Sequence, residues 1–101
     1  MYARLGWLED GDAEQIGQLV DGLKGFEKSG PPPGLPATGL LALHNVEKGK
    51  MVTLLLFESE EAMRQGDEAL QAMEPPVPYR PDQRTGVDFY EVAVKLDAPA
   101  G

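Results

Sequence analysis

The chain carries one histidine, His44. Imidazole is the side chain type that exchanges protons near neutral pH. His44 therefore suits a proton acceptor or hydrogen-bond donor in a pocket, or equally a half-exposed strand residue near a hairpin end. Arg4 stands between Ala3 and Leu5. An arginine held among apolar neighbours needs a carboxylate partner, or it orients an anionic or phenolate ligand. Glu58, Asp88 and Glu91 are the candidate partners. Tyr90 and Trp7 are large aromatics suited to a core or interface, and Tyr90 also to lining a pocket. Arg80 and Arg84 flank Asp82, a group suited to gating a pocket, to binding an anion or to a solvated loop that tolerates charge. Glu60, Glu61, Asp67 and Glu68 read as the solvated face of a helix. The chain has no cysteine, and one histidine alone is a poor ligand set, so no metal site is expected. Neither a Gly-rich phosphate loop nor a Ser-His-Asp arrangement is present.

These residues must be positioned by one domain. The chain has 101 residues, and 1–101 reads as a single unit with a frayed tail over 97–101. Nine Lys and Arg stand against seventeen Asp and Glu, giving a formal net charge of −8. An acidic chain repels phosphate backbones and anionic lipid, so neither nucleic acid nor a membrane surface is expected as a partner. No apolar run approaches the roughly 20 residues a membrane span needs. No secretion signal is visible, so a cytoplasmic protein is expected.

Six elements follow from patterning. Residues 1–9 alternate as a strand, with Leu5 and Trp7 on one face and Tyr2, Arg4, Gly6 and Leu8 on the other. Asp12 caps a helix, with Gln15 placed to complete a capping box. Ala13, Ile16, Leu19, Val20, Leu23 and Phe26 form its apolar stripe. Gly17 and Gly22 weaken this helix unless they let it approach a sheet closely. The Pro-rich stretch from Lys28 to Ala37 is a stiff, exposed connection. Strands over 39–46 and 51–58 flank a tight turn in which Gly49 supplies positive φ. With Lys48 and Gly49 as a two-residue loop, Val46 faces Met51, His44 faces Thr53, Ala42 faces Leu55 and Leu40 faces Phe57. Ser59 caps a second helix with a stripe of Ala62, Gly66, Ala69, Leu70 and Met73, ended by Pro75 and Pro76. A second Pro-rich loop leads to a last strand, Val87 to Leu96.

The order βαββαβ is the split βαβ plan of a ferredoxin-like α+β fold: a four-stranded antiparallel sheet with two helices on one face. Both faces of the central hairpin are apolar, whereas a sheet with one wet face alternates. Leu41, Leu43, Val52, Leu54 and Leu56 would leave several hundred Å² of apolar surface uncovered. The simple solution is a homodimer packed sheet against sheet, with those five leucines and valines as interface residues. The loops or tail folding over that face are the alternative. The other face mixes polar and apolar groups, as ligand sites do. It makes Arg4, His44, Thr53, Phe57 and Tyr90 the ligand-pocket candidates, with Arg4 or Tyr90 near the mouth. A one-residue slip of register would exchange the two faces.

The segment LLLFESEEA, Leu54 to Ala62, resembles the strand-to-helix junction of the dimeric α+β barrel superfamily, and within it the antibiotic-biosynthesis-monooxygenase-like group. DFYEVAV, Asp88 to Val94, resembles the last strand of that group. The resemblance implies the dimeric barrel fold. It also implies a range of activities, including cofactor-independent oxygenation, isomerisation and haem degradation. Haem-degrading relatives use an Asn on the first strand, a Trp ending the third and a His on the second helix. Here no Asn precedes Asn45, the strand ends in Phe57, and residues 59–73 contain no His. Haem degradation is therefore not expected, and no cofactor is. Two functions stay open: a homodimeric module binding a small apolar or aromatic molecule, and a cofactor-independent monooxygenase acting on an aromatic or polyketide-like substrate.

Overall fold

A computed structural model describes residues 1–30, 34–72 and 81–96. The elements are β1 (Tyr2–Leu8), α1 (Ala13–Lys24), α2 (Phe26–Ser29), β2 (Gly39–Asn45), β3 (Lys50–Phe57), α3 (Glu60–Ala72) and β4 (Arg84–Glu91), with a 3₁₀ turn at Pro81–Gln83. The strands form one antiparallel sheet in the order β2-β3-β1-β4. The expected ferredoxin-like α+β plan is the observed one. No helix among the described residues is long and apolar enough to cross a membrane.

Capping chemistry starts both long helices. The Asp12 carboxylate accepts from the Gln15 backbone N–H at 2.7 Å, and the Ser59 hydroxyl accepts from the Ala62 N–H at 3.1 Å. The Gln15 side chain exchanges hydrogen bonds with Gln83 at 3.0 Å. It thus ties α1 to the chain entering β4. Gly25 closes α1 and opens α2, so Phe26 lies beyond the first helix.

The hairpin register differs from the expected one by two residues. His44 pairs with Met51, Ala42 with Thr53 and Leu40 with Leu55, because the loop holds four residues, Val46 to Gly49. Two is the pleat repeat, so every side chain keeps its expected face. Gly49 has φ +67°, and a methyl group there would lie 2.6 Å from the Gly11 carbonyl oxygen. The hairpin tip is thereby pinned to the β1–α1 turn, where Gly11 N–H donates to Gly49 O at 2.9 Å.

The core sits between α3 and the sheet. Phe57 is fully buried and packs with Leu35, Leu55 and Met63. Leu35 corrects the expectation of an exposed Pro-rich connection: its side chain is an anchor in that core. The stripe of α3 includes the expected Ala62, Gly66 and Leu70, and adds Met63. Met63 and Gly66 are its buried residues, and Met73 lies outside the described residues. A methyl group at Gly66 would lie 2.7 Å from Phe57 Cζ, so the close helix–sheet approach occurs here. Gly17 is not such a site, since a methyl group there would meet nothing within 4 Å.

β4 begins three residues before the expected Val87 and ends at Glu91 rather than Leu96. Its pairing partner is β1, with Tyr2 opposite Glu91, and Val92 N–H donates to Met1 O at 2.9 Å just beyond the ladder. Beyond it Val94 and Leu96 are exposed.

Candidate functional site

The sheet register sorts the side chains. Tyr2, Arg4, Gly6 and Leu8 of β1 share the helix-covered face with Met51, Thr53, Leu55 and Phe57 of β3 and with Leu40, Ala42 and His44 of β2. Leu5 and Trp7 point the other way, beside Leu41, Leu43, Val52, Leu54 and Leu56.

On the helix side an open cleft of about 430 Å³ separates α1 and α2 from the edge strand β2. Val20, Leu23 and Phe26 form its helical wall, and Leu35, Leu40 and Leu55 its base. Lys24, Glu27 and Thr38 also line it. The amphipathic stripe of α1 explains the wall. Ile16 and Leu19, in the first two turns, are buried, while Val20, Leu23 and Phe26 near the C-terminal end stay half-buried over the cleft. An apolar concavity edged by a few polar groups is what a small apolar molecule requires.

Arg4 is 6% exposed, and its Nε donates to Asp67 Oδ1 of α3 at 2.9 Å. The partner is thus none of Glu58, Asp88 and Glu91. The register explains why: Asp88 projects from the opposite face of the sheet, opposite Leu5, whereas Asp67 comes down from the helix above. Asp67 Oδ2 is already engaged, accepting from Gln71 Nε2 at 2.9 Å. Arg4 Nη2 is buried without a hydrogen-bond partner. Reading Asp67 as part of a solvated acidic face missed this pair. The signal was in the spacing, since Met63, Gly66, Asp67 and Leu70 fall on one side of the helix at i, i+3, i+4 and i+7.

The five pocket candidates do not converge. Leu55, the neighbour of Arg4, forms part of the cleft base, and Arg4 itself stands one strand further in. Phe57 is core. Thr53 is half-buried beside Ala42 and Gly6, and His44 is exposed at the hairpin end opposite Met51. Tyr90 pairs with Ala3 and lies on the other face, 50% exposed, its hydroxyl donating to Asp88 at 3.4 Å. Arg84 is exposed at the start of β4, and Arg80 lies outside the described residues. Gln83 was not anticipated. It is buried, and its Nε2 donates to the Asp10 carbonyl at 2.8 Å. Among the described residues no group of three His, Asp or Glu is arranged to hold a metal.

The second surface of interest is the face away from the helices. Leu41 and Leu43 are 52% and 54% exposed there, and Val52, Leu54, Leu56, Leu5 and Trp7 are half-buried. All three helices lie on the opposite side, so no described element covers this face.

No protein-family model matches the chain, and no curated protein matches its sequence. A solved structure from Deinococcus radiodurans does match in three dimensions. It covers 99% of this chain and 100% of its own, at a TM-score of 0.52 and 16% identity. The two share one fold. That protein is described, provisionally, as an antibiotic biosynthesis monooxygenase. The ferredoxin-like α+β fold expected from the element order is therefore the fold found, and identity this low carries the fold alone.

Proposed function

We propose that the chain is a homodimeric binding protein for a small apolar or aromatic molecule, held in the cleft between α1–α2 and β2. The observation that carries this reading is the cleft itself, with its apolar wall of Val20, Leu23 and Phe26 facing Leu40 and Leu55. Burying apolar ligand surface there contributes about 25 cal/mol per Å² before association costs are subtracted. The dimer forms through the uncovered sheet face, on which Leu41, Leu43, Val52, Leu54 and Leu56 stand together. A single patch repeated about a two-fold axis is self-complementary. The second reading is a monooxygenase that needs no cofactor, favoured by the fold shared with the Deinococcus radiodurans protein. It asks for a substrate that is itself oxidised by oxygen in this cleft.

Calorimetric titration with 2-naphthol tests the binding. Saturable binding to the wild type is expected, with loss in Ala42→Trp, whose indole would occupy the cleft. Absent binding to the wild type, or unchanged binding to Ala42→Trp, contradicts the site. Consumption of oxygen by protein with an aromatic phenol would favour the monooxygenase reading.

A further inference from the structure

We propose that the outer edge of β2, along the cleft, is completed by residues 92–96 of a second copy of the chain, so that each binding site is walled by two protomers. This rests on the cleft and the dimer proposed above and adds which segment of the partner closes the site. It starts from a segment without cover. β4 stays paired with β1 as far as Glu91 opposite Tyr2, and Val92 N–H donates to Met1 O at 2.9 Å. Beyond that bond Val94 and Leu96 are 73% and 87% exposed, the highest values of any large apolar side chain among the described residues. The stretch reads Val-Ala-Val-Lys-Leu. It alternates apolar residues at period two and carries two β-branched ones, as a strand does.

The matching edge is β2. It is the outermost strand on the other side of the sheet, and among the described residues no strand pairs with its outer side. Residues 38–42 line the cleft in unbroken succession, although Leu40 and Ala42 point to the helix side and Leu41 to the other. The outward backbone edge itself therefore borders the cleft. On such an edge every second residue directs its N–H and C=O away from the sheet, a ready template for another strand. An extended segment laid there is held by main-chain hydrogen bonds, with alternate side chains adding selectivity. The lengths agree, since five residues on each side span about 17 Å.

The occupant comes from another chain. β4 and β2 stand at opposite ends of the order β2-β3-β1-β4, three strand spacings or about 14 Å apart. The same five residues cannot cross that width and also run along β2. A second copy removes the obstacle. Ala3 opposite Tyr90 and Leu5 opposite Asp88 put Tyr90 on the uncovered face, and the period of two carries Val92, Val94 and Leu96 to that side. Leu41 and Leu43, 52% and 54% exposed, stand on the same uncovered side of β2. When the uncovered faces of two protomers pack together, the apolar side of the segment meets Leu41 and Leu43 of the partner, and Ala93 turns toward the cleft. Strands that bend from one sheet into the other make the corners where two sheets pack at a steep angle.

Isotope-filtered NMR on dimers assembled from ¹³C-labelled and unlabelled chains reads contacts between protomers alone. The methyl groups of Val94 and Leu96 should show contacts across the interface to those of Leu41 or Leu43. In calorimetry, Val94→Asp combined with Leu96→Asp should weaken 2-naphthol binding by roughly tenfold or more, although neither residue lines the cleft of its own chain. Both side chains are exposed in a single chain, so its fold does not depend on them. Contacts of Val94 and Leu96 confined to their own chain, or absent, overturn the inference. So does 2-naphthol binding that the double variant leaves unchanged. A wild type with two-chain mass and intact naphthol binding but without the contacts between protomers sinks the shared wall alone. A one-chain mass in light scattering, or a wild type that does not bind naphthol, fails the dimer or the cleft and this inference with it.

Discussion

The two halves of the helix-covered face are built on opposite principles. Under α3, Gly66 lets the helix settle onto Phe57, Met63 and Leu35 fill the remaining space, and Asp67 reaches Arg4. Under the C-terminal end of α1, the side chains of Val20, Leu23 and Phe26 stop short of β2 and leave the cleft. The same sheet supports both, with Leu55 shared by the packed core and the cleft base. A close-packed half resists any change of volume, whereas a half with space to spare can take up a guest. The difference teaches where stability and function are separated in a chain this small.

Substitutions can break that contrast if it is false. Phe57→Ala should have the largest effect, a loss of about 3–5 kcal/mol in chemical denaturation, because the ring is fully buried and its removal leaves a cavity that the surroundings fill only in part. Leu23→Ala, on the cleft wall, should cost clearly less, since Leu23 is half-buried and already borders space. Equal losses would deny the contrast. Asp67→Ala should cost about 3 kcal/mol by leaving the buried Arg4 charge without its partner. Gly66→Ala should cost about 1–3 kcal/mol through overpacking against Phe57. Gly17→Ala should act in the opposite direction, stabilising by up to about 1 kcal/mol, because that position is helical and open. Thermal melts of these two alanine variants side by side, one falling and one rising, sharpen the comparison at the level of a single methyl group.

The uncovered face gives a separate prediction. Light scattering of the wild type should return twice the 10.9 kDa of one chain. Leu54→Glu should give a monomer or an aggregate, because a carboxylate inside a dry interface is strongly disfavoured. A wild type of one-chain mass would contradict the dimer while leaving the cleft untouched.

Most of the fold was legible in the residues because periodicity reports which face is buried. Asp12 and Ser59 marked the helix starts, and alternation put Leu5 and Trp7 opposite Arg4 and Gly6. The hairpin faces came out correctly despite a two-residue error in register, since the pleat repeats every two. What was not legible depends on distant parts of the chain. The burial of Leu35 needs the core to exist before it can be seen. The end of β4 at Glu91 depends on where β1 begins. The site was read less well for the same reason. Periodicity placed Arg4 on the helix side, but the choice of Asp67 over Asp88 is made by which helix passes overhead. Tyr90 reads as a pocket aromatic from its type and lands on the far face because of its pairing with Ala3.

Residue-resolved NMR titration with 2-naphthol tests the separation of the two halves most directly. The amides of Val20, Leu23, Leu40 and Ala42 should shift together and saturate at one affinity, while those of Met63, Gly66 and Leu70 stay in place. Shifts centred on α3, or on Leu43, Leu54 and Trp7 of the open face, would contradict the account.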